Sequence, residues 1–172
     1  MKSILLTVII ISVALVHQGR GAPHAHLQPC QEPATPGAYN TFARRHIITE
    51  TFDRNSLQEW ARYLRNNNLC GRVPTQSFID AEEADVRRIC SYSGRRVNNA
   101  PQAQGDFCMS NAIMRLYDVD SDKRCNIWRL AAVNHYVIVR CAQVDGTCLP
   151  IHFERFRNQK PSKTPCTPRR IG

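Results

Sequence analysis

Two stretches in the last quarter of the chain decide the fold: "HYVIVRC" (residues 135–141) and "CLPIHFERF" (148–156). Both are rich in β-branched and aromatic residues, a composition that is typical of β-strands. Two earlier stretches, "FCMSNAIMRLYDV" (107–119) and "CNIWRLAAV" (125–133), have the same character. The second half of the chain is therefore predicted to consist mainly of strands.

The first half of the chain has a helical period. Apolar residues recur at helical spacing in three stretches, residues 40–49, 56–68 and 80–90. Ser56 and Glu59 fit a capping box at the second stretch, and Asp80 is the expected N-cap of the third. Residues 91–106 are polar and contain glycine and proline, which predicts a long loop. This order predicts an α+β domain in which three N-terminal helices pack on a twisted antiparallel sheet.

Both ends of the chain are set apart by composition. Residues 1–21 have one early lysine, a short apolar run and then small residues, which is typical of a secretory signal peptide cleaved after Gly21. No later stretch is apolar enough to span a membrane. The predicted division is a signal peptide (1–21), an N-terminal arm (22–39), a domain (40–156) and a basic C-terminal tail (157–172).

The charge of the predicted secreted protein is strongly positive. Loss of Lys2 and Arg20 from the 23 basic side chains leaves 21 against 14 acidic ones, a net charge of +7. Such a protein favours polyanions, namely nucleic acid, heparan-type sugars or anionic membranes, and charge alone does not choose among them. The dibasic pairs at 87–88 and 95–96 are interpreted as solvated surface.

The even number of cysteines indicates a disulfide framework in an extracellular protein. Eight cysteines allow 105 pairings, and the absence of CxxC spacing argues against structural zinc. His24 and His26 resemble an N-terminal copper site, but Pro23 lacks the amide proton that such a site must release. Neither a metal nor a cofactor is predicted. The cysteines are Cys30, Cys70, Cys90, Cys108, Cys125, Cys141, Cys148 and Cys166.

Two histidines are candidates for an acid–base pair. His46 lies on the first predicted helix and His152 on the last predicted strand, and imidazole can hold or release a proton near neutral pH without tuning. Only the fold could bring them together, so spacing alone leaves open whether they are core histidines or catalysts. His135, at the start of a strand, is interpreted as structural.

The sequence around both histidines resembles the pancreatic-type ribonucleases, the ribonuclease A superfamily. "FARRHI" (42–47) is similar to the family's F-x-R-x-H helix, and "PIHFE" (150–154) to its P-V-H-F-D strand. The resemblance covers residues 40–156 and implies a ribonuclease A-like fold. It also implies the disulfides Cys70–Cys125 and Cys90–Cys141, and replacement of a family bridge by apolar residues near Trp60 and Leu116. The other four cysteines could fasten the arm and the tail.

What the resemblance implies chemically is metal-free cleavage of single-stranded RNA 3′ of pyrimidines through a 2′,3′-cyclic phosphate. His46 corresponds to the base and His152 to the acid. Glu154 shares a strand face with His152 and is expected to orient it, in place of the family's aspartate. Phe153 is expected on the opposite, core-facing side of the strand, and among the substrate-binding residues.

The chain departs from the family in "CGRVPTQSF" (70–78), where the family has C-K-x-x-N-T-F. The catalytic lysine is absent and Arg72 is the nearest cation, although arginine and lysine are not equivalent. Thr75 is the best match to the pyrimidine-reading threonine, with Ser77 as the alternative. Arg45 replaces a glutamine and either compensates for the lysine or only binds RNA.

Two functions remain open from the sequence. The first is a secreted, monomeric endoribonuclease weakened by loss of the lysine. The alternative is a cationic host-defence or angiogenin-like protein that binds nucleic acid or heparin with little or no catalysis. The catalytic histidines and Glu154 favour the first, whereas the missing lysine, the net charge and the basic tail favour the second.

Overall fold

The structure is a computed structural model that describes residues 28–97, 107–154 and 159–168. The predicted signal peptide and residues 22–27 of the predicted arm, which include His24 and His26, lie outside these residues. The elements are α1 (Ala38–His46), α2 (Leu57–Asn66), β1 (Thr75–Asp80), α3 (Glu83–Arg88), β2 (Arg95–Val97), β3 (Phe107–Ser121), β4 (Ile127–Val144), β5 (Thr147–Glu154) and β6 (Pro161–Pro165). In the described residues, no helix is both long and apolar enough to cross a membrane.

The strands form one antiparallel sheet in the order β5-β4-β3-β2-β6, with β1 paired to the other end of β3. The predicted α+β class with an antiparallel sheet is confirmed. The two strands expected at 125–133 and 135–141 are one continuous strand, β4, that pairs with β3 along most of its length.

Helix α1 begins and ends earlier than the predicted 40–49. Gly37 precedes it with φ of 77°, a left-handed conformation that glycine adopts without strain. Ile47 still donates its N–H to the carbonyl of Ala43, but its backbone is extended and bridges to Ile79 of β1. The helix therefore stops at His46, because the β-branched residues that follow are buried against the sheet.

At α2, half of the predicted capping box is present. The Ser56 hydroxyl accepts the Glu59 N–H at 3.2 Å, whereas the Glu59 carboxylate pairs with Arg62. The apolar face of the helix buries Trp60 completely, as expected. Its ring centroid lies 5.4 Å from that of Tyr117 and 5.3 Å from that of Phe78.

The sheet partner of Trp60 is therefore Tyr117, the residue next to Leu116, near which the resemblance placed it. Neighbouring residues of a strand point to opposite faces. Leu116 is buried in the other cluster, with Ile79 and Val139.

The predicted N-cap role of Asp80 is wrong. Asp80 ends β1, and its Oδ1 accepts hydrogen bonds from Arg54 at 3.1 and 3.3 Å. Glu82 precedes the first residue of α3 instead. Strand β1 separates α2 from α3, so the order of helices first and strands later does not hold in full.

Two short strands occupy segments that the sequence predicted to be irregular. Strand β2 lies within the predicted loop 91–106, and β6 lies within the predicted tail. Arg95 of β2 pairs with Met109 on one side and with Pro165 on the other. A disulfide between Cys108 and Cys166 fixes β6 to the sheet.

All eight cysteines are paired. The disulfides Cys70–Cys125 and Cys90–Cys141 that the resemblance implied are confirmed. The remaining bridges, Cys30–Cys148 and Cys108–Cys166, join the described parts of the arm and the tail to β5 and β3. The arm also lies along β4, where Cys30 and Ala34 donate their N–H groups to the carbonyls of Cys141 and Gln143.

Candidate active site

A pocket of about 290 Å³ is enclosed by α1, the start of β1 and the end of β5. Its walls contain both candidate histidines and the candidate cations and substrate-binding residues: Arg45, His46, Arg72, Thr75, His152 and Phe153. A larger cavity of about 450 Å³ lies beside α3 and β3, and no histidine lines it. His135 lies on β4 opposite Met114 and does not line the pocket.

His46, the last residue of α1, is held from three sides. Its Nδ1 lies 3.0 Å from the carbonyl oxygen of Ser77. A carbonyl only accepts, so Nδ1 carries the proton and Nε2 is the basic nitrogen of the neutral ring. The ring stacks on Phe153 at 5.2 Å between centroids, and Phe42 packs tilted against it at 5.5 Å.

The surroundings of His46 favour its neutral form. Burial lowers its pKa from 6.5 to about 4, and the positive charges of Arg72, His152 and Arg45 act in the same direction. The hydrogen bond to Ser77 opposes this shift, because it favours the protonated ring. At neutral pH the ring is therefore uncharged and able to accept a proton at Nε2.

His152 is more open to solvent than His46. Its side chain, on β5, is 61% exposed, and its Nε2 lies 3.5 Å from Oε2 of Glu154. The two residues are separated by one position, so they lie on the same face of the strand. The carboxylate of Glu154 is thus close to the ring of His152.

Two guanidinium groups lie beside His46. Burial, and the nearby charge of Arg45, lower the pKa of Arg72 from its ordinary value. The Nε of Arg72 is buried and has no hydrogen-bond partner among the described residues. Two like charges and an unsatisfied donor on one pocket wall are the features of a site that binds an anion.

The pocket also contains both candidates for base recognition. Thr75 is half-buried at the start of β1. Ser77 is buried, its carbonyl holds His46, and its hydroxyl donates to Oδ1 of Asp118 at 2.6 Å. Of the two candidates, Ser77, the alternative left open by the sequence, has a printed contact with His46.

Two buried polar residues of the site were not singled out from the sequence. Asp118 is 2% exposed, within a strand whose neighbouring residues are apolar, and this contrast was the available signal. Gln76 is 1% exposed, and its Nε2 donates to the carbonyl of Leu69 at 2.7 Å. It thereby fixes the chain before Arg72 to the strand that follows.

The clusters of potential metal ligands found in the described residues consist of cysteine sulfurs. Cys141 belongs to both of these groups. Its sulfur lies within 4.8 Å of those of Cys90 and Cys148 in one group, and within 4.8 Å of those of Cys108 and Cys166 in the other. Every sulfur in both groups belongs to a disulfide, and metal coordination requires a thiolate. These groups therefore pack as a sulfur cluster around Cys141.

Comparison with known proteins supports the fold. No protein-family model and no curated protein matches the chain. The chain is structurally similar to zebrafish RNase5, with a TM-score of 0.52 and 19% sequence identity. The match covers 69% of this chain and 93% of the zebrafish chain. The fold is therefore similar to that of a ribonuclease.

Proposed function

We propose that the protein is a secreted endoribonuclease that cleaves single-stranded RNA 3′ of pyrimidines. The observation that carries the proposal is the pocket in which His46 and His152 meet beside two arginines. His46 is half-buried and neutral, whereas His152 is exposed beside a carboxylate, which is the asymmetry that a base and an acid need.

The proposed reaction needs only these side chains and the RNA. Nε2 of His46 removes the proton of the 2′-hydroxyl, and the oxygen attacks the adjacent phosphorus. His152 donates a proton to the departing 5′-oxygen, so the products are a 2′,3′-cyclic phosphate and a 5′-hydroxyl. Glu154 holds the ring of His152 in the orientation for this transfer.

The cations are proposed to stabilise the negative charge of the phosphorane. A well-placed donor to such an oxyanion contributes about 10²–10³ in rate. Arg72 takes the place of the family's lysine, with Arg45 beside it. Because a guanidinium is larger than an ammonium and its charge is delocalised, we propose weaker stabilisation than the lysine provides.

Base recognition is assigned to Ser77. Its hydroxyl donates to Asp118, so the oxygen lone pairs are left to accept from a base. Thr75, the better match in the sequence, is half-buried and has no contact with His46 among those described. Phe153 is proposed to act mainly by fixing the ring of His46, on which it stacks.

Extracellular location is supported by four disulfides, and the predicted signal peptide accords with it. The second candidate function is polyanion binding by a cationic host-defence or angiogenin-like protein with little turnover. The observation that favours it is the pair Arg45 and Arg72, which would hold an RNA or heparan-type anion whether or not the histidines react. A monomer is proposed for either function.

The dinucleotide UpA, incubated with the protein in excess EDTA, tests the proposal. We expect uridine 2′,3′-cyclic phosphate and adenosine as products, with UpA and CpA cleaved faster than ApA and GpA. Binding of UpA or heparin without any cyclic phosphate would reject the enzyme and favour the second candidate.

A further inference from the structure

We propose that the Cys30–Cys148 disulfide, which fastens the N-terminal arm, exchanges with the neighbouring Cys90–Cys141 disulfide when a thiol reductant opens it. The exchange leaves Cys30 and Cys90 as free thiols and forms a new bridge between Cys141 and Cys148. The arm is then no longer tied to β5, whereas the β4–β5 hairpin that includes His152 remains cross-linked. The inference goes beyond the proposed ribonuclease reaction and does not depend on it.

The sulfur atoms of three disulfides meet around Cys141. Its Sγ is bonded to that of Cys90, and both lie within 4.8 Å of the Sγ of Cys148 in the arm disulfide. The Sγ of Cys166, in a third bridge, lies 4.0 Å from the Sγ of Cys141. Thiol–disulfide exchange begins when a thiolate attacks a disulfide sulfur, so the sulfur atoms must lie close together. A free Cys148 therefore needs only a small side-chain movement to reach the Cys90–Cys141 bridge.

The three disulfides differ in their access to a dissolved reductant. Both cysteines of the arm disulfide, Cys30 and Cys148, are half-buried. The cysteines of the other two bridges are at most 2% exposed: Cys90, Cys108, Cys141 and Cys166. Because reduction requires contact between the attacking thiolate and a disulfide sulfur, the arm disulfide is the first of the three to open.

The reaction is balanced by two molecules of a small thiol of the glutathione class. They reduce the Cys30–Cys148 bond and are themselves oxidised to one disulfide, and their two protons pass to the sulfurs of Cys30 and Cys148. The Cys148 thiol then ionises, and its thiolate attacks the Sγ of Cys141. The Cys141–Cys148 bond forms as the Cys90–Cys141 bond breaks, and the departing Cys90 sulfur takes up the proton that Cys148 released. This second step needs no further reductant.

Burial gives the exchange its direction. The attacking sulfur belongs to Cys148, which is half-buried, whereas the departing sulfur belongs to Cys90, which is 1% exposed. Cys90 packs in the same apolar cluster as Val86 and Ile89. Apolar surroundings disfavour a thiolate, so the Cys90 thiol keeps its proton and does not attack the new bridge in return.

The fold selects Cys141 as the sulfur that is attacked. Cys148 pairs with Gln143 in the β4–β5 ladder, and Cys141 lies two residues before Gln143 on β4. Residues two apart on a strand share a face, as do directly opposed residues, so the side chains of Cys141 and Cys148 lie on one face of the hairpin. Cys90 lies outside the hairpin, in the turn that follows α3, and can withdraw once its bond is broken.

Two single substitutions test the exchange without any reductant. C30S leaves Cys148 as a free thiol beside Cys141, whereas C148S leaves a free Cys30, which is not a member of the sulfur groups around Cys141. Each purified variant is quenched in acid, unfolded, alkylated with N-ethylmaleimide and digested with trypsin. We expect at least about tenfold more alkylated Cys90 in C30S than in C148S. In C30S the tryptic peptide 141–155 should be unlabelled and lighter than its dithiol form by two hydrogen atoms.

The wild-type protein, treated with a limiting amount of reduced glutathione, should yield alkylated Cys30 and Cys90 and the same bridged peptide. The double variant C30S/C148S, which lacks the arm disulfide, is the control for direct reduction and should keep Cys90 unlabelled under the same conditions. Labelling of Cys148 in C30S, labelling of Cys141 in place of Cys90, or equal labelling of Cys90 in the double variant and the wild type would overturn the proposal. None of these measurements involves RNA, so their outcome is independent of the ribonuclease proposal.

Discussion

The imidazole Nδ1 of His46 donates to the backbone carbonyl of Ser77 across 3.0 Å. This one contact joins the last residue of α1 to β1 and selects the tautomer in which Nε2 is basic. It also couples His46, the proposed general base, to Ser77, the residue proposed to recognise the nucleobase. Ser77 accepts from His46 with its carbonyl and donates to Asp118 with its hydroxyl.

The first prediction is that kcat/KM falls on the acidic side only at an unusually low pH. The pKa of His46 is about 4, so the ring accepts a proton from substrate at any pH above that value. We expect kcat/KM for UpA to stay high at pH 5 and to fall only near pH 4. A fall in kcat/KM centred near pH 6.5, the ordinary pKa of histidine, would show that burial does not control the pKa of His46.

Stability should also depend on His46. Between pH 6.5 and 4 the unfolded chain protonates this residue and the folded chain does not, so the free energy of unfolding falls as the pH is lowered through this range. The loss is at most about 3 kcal/mol. Urea unfolding at pH 7 and pH 4.5 measures it, and H46A should lose less stability between the two pH values. Equal losses in the variant and the wild type would contradict the prediction.

Ser77 and Thr75 can be separated by base preference. S77A removes the hydroxyl that donates to buried Asp118, and we expect an altered ratio of UpA to CpA cleavage and about 1–3 kcal/mol lower stability. T75A, the matched variant on the same strand, should change both quantities much less. The opposite ranking would restore Thr75 as the base-reading residue.

Removal of the Arg72 guanidinium should slow the chemical step. We expect R72A to lower kcat for UpA by about 10²-fold or more, with a smaller effect on KM. R62A, on the exposed side of α2, serves as the control and should keep the wild-type rate. An R72A variant as active as R62A would move the role to Arg45.

Much of the fold follows from local periodicity, and the exceptions have physical causes. The long strands β3 to β5 and helix α2 are marked by runs of apolar residues. Strand β1 was missed because its buried side chains include the polar residues Gln76 and Ser77, which are satisfied by hydrogen bonds to distant groups. Strand β6 contains proline and exposed residues, and the Cys108–Cys166 disulfide holds it.

In the candidate site, too, some residues were predicted from local sequence and others were not. Sequence motifs pointed to His46, His152 and Glu154, because the residue types and their neighbours are local information. The choice of Ser77 over Thr75 and the place of Asp118 depend on strand register. Register is a property of the whole sheet, so these contacts could not be predicted from the sequence.

The most direct measurement of the assigned roles uses two substrates that differ only in the leaving group. UpA needs an acid to protonate its 5′-oxygen, whereas uridine 3′-(4-nitrophenyl phosphate) expels a stable phenolate without one. We expect H152A to lose most activity on UpA but little on the nitrophenyl ester, H46A to lose both, and H135A to keep both. Cleavage of both substrates by H46A at the wild-type rate would contradict the account.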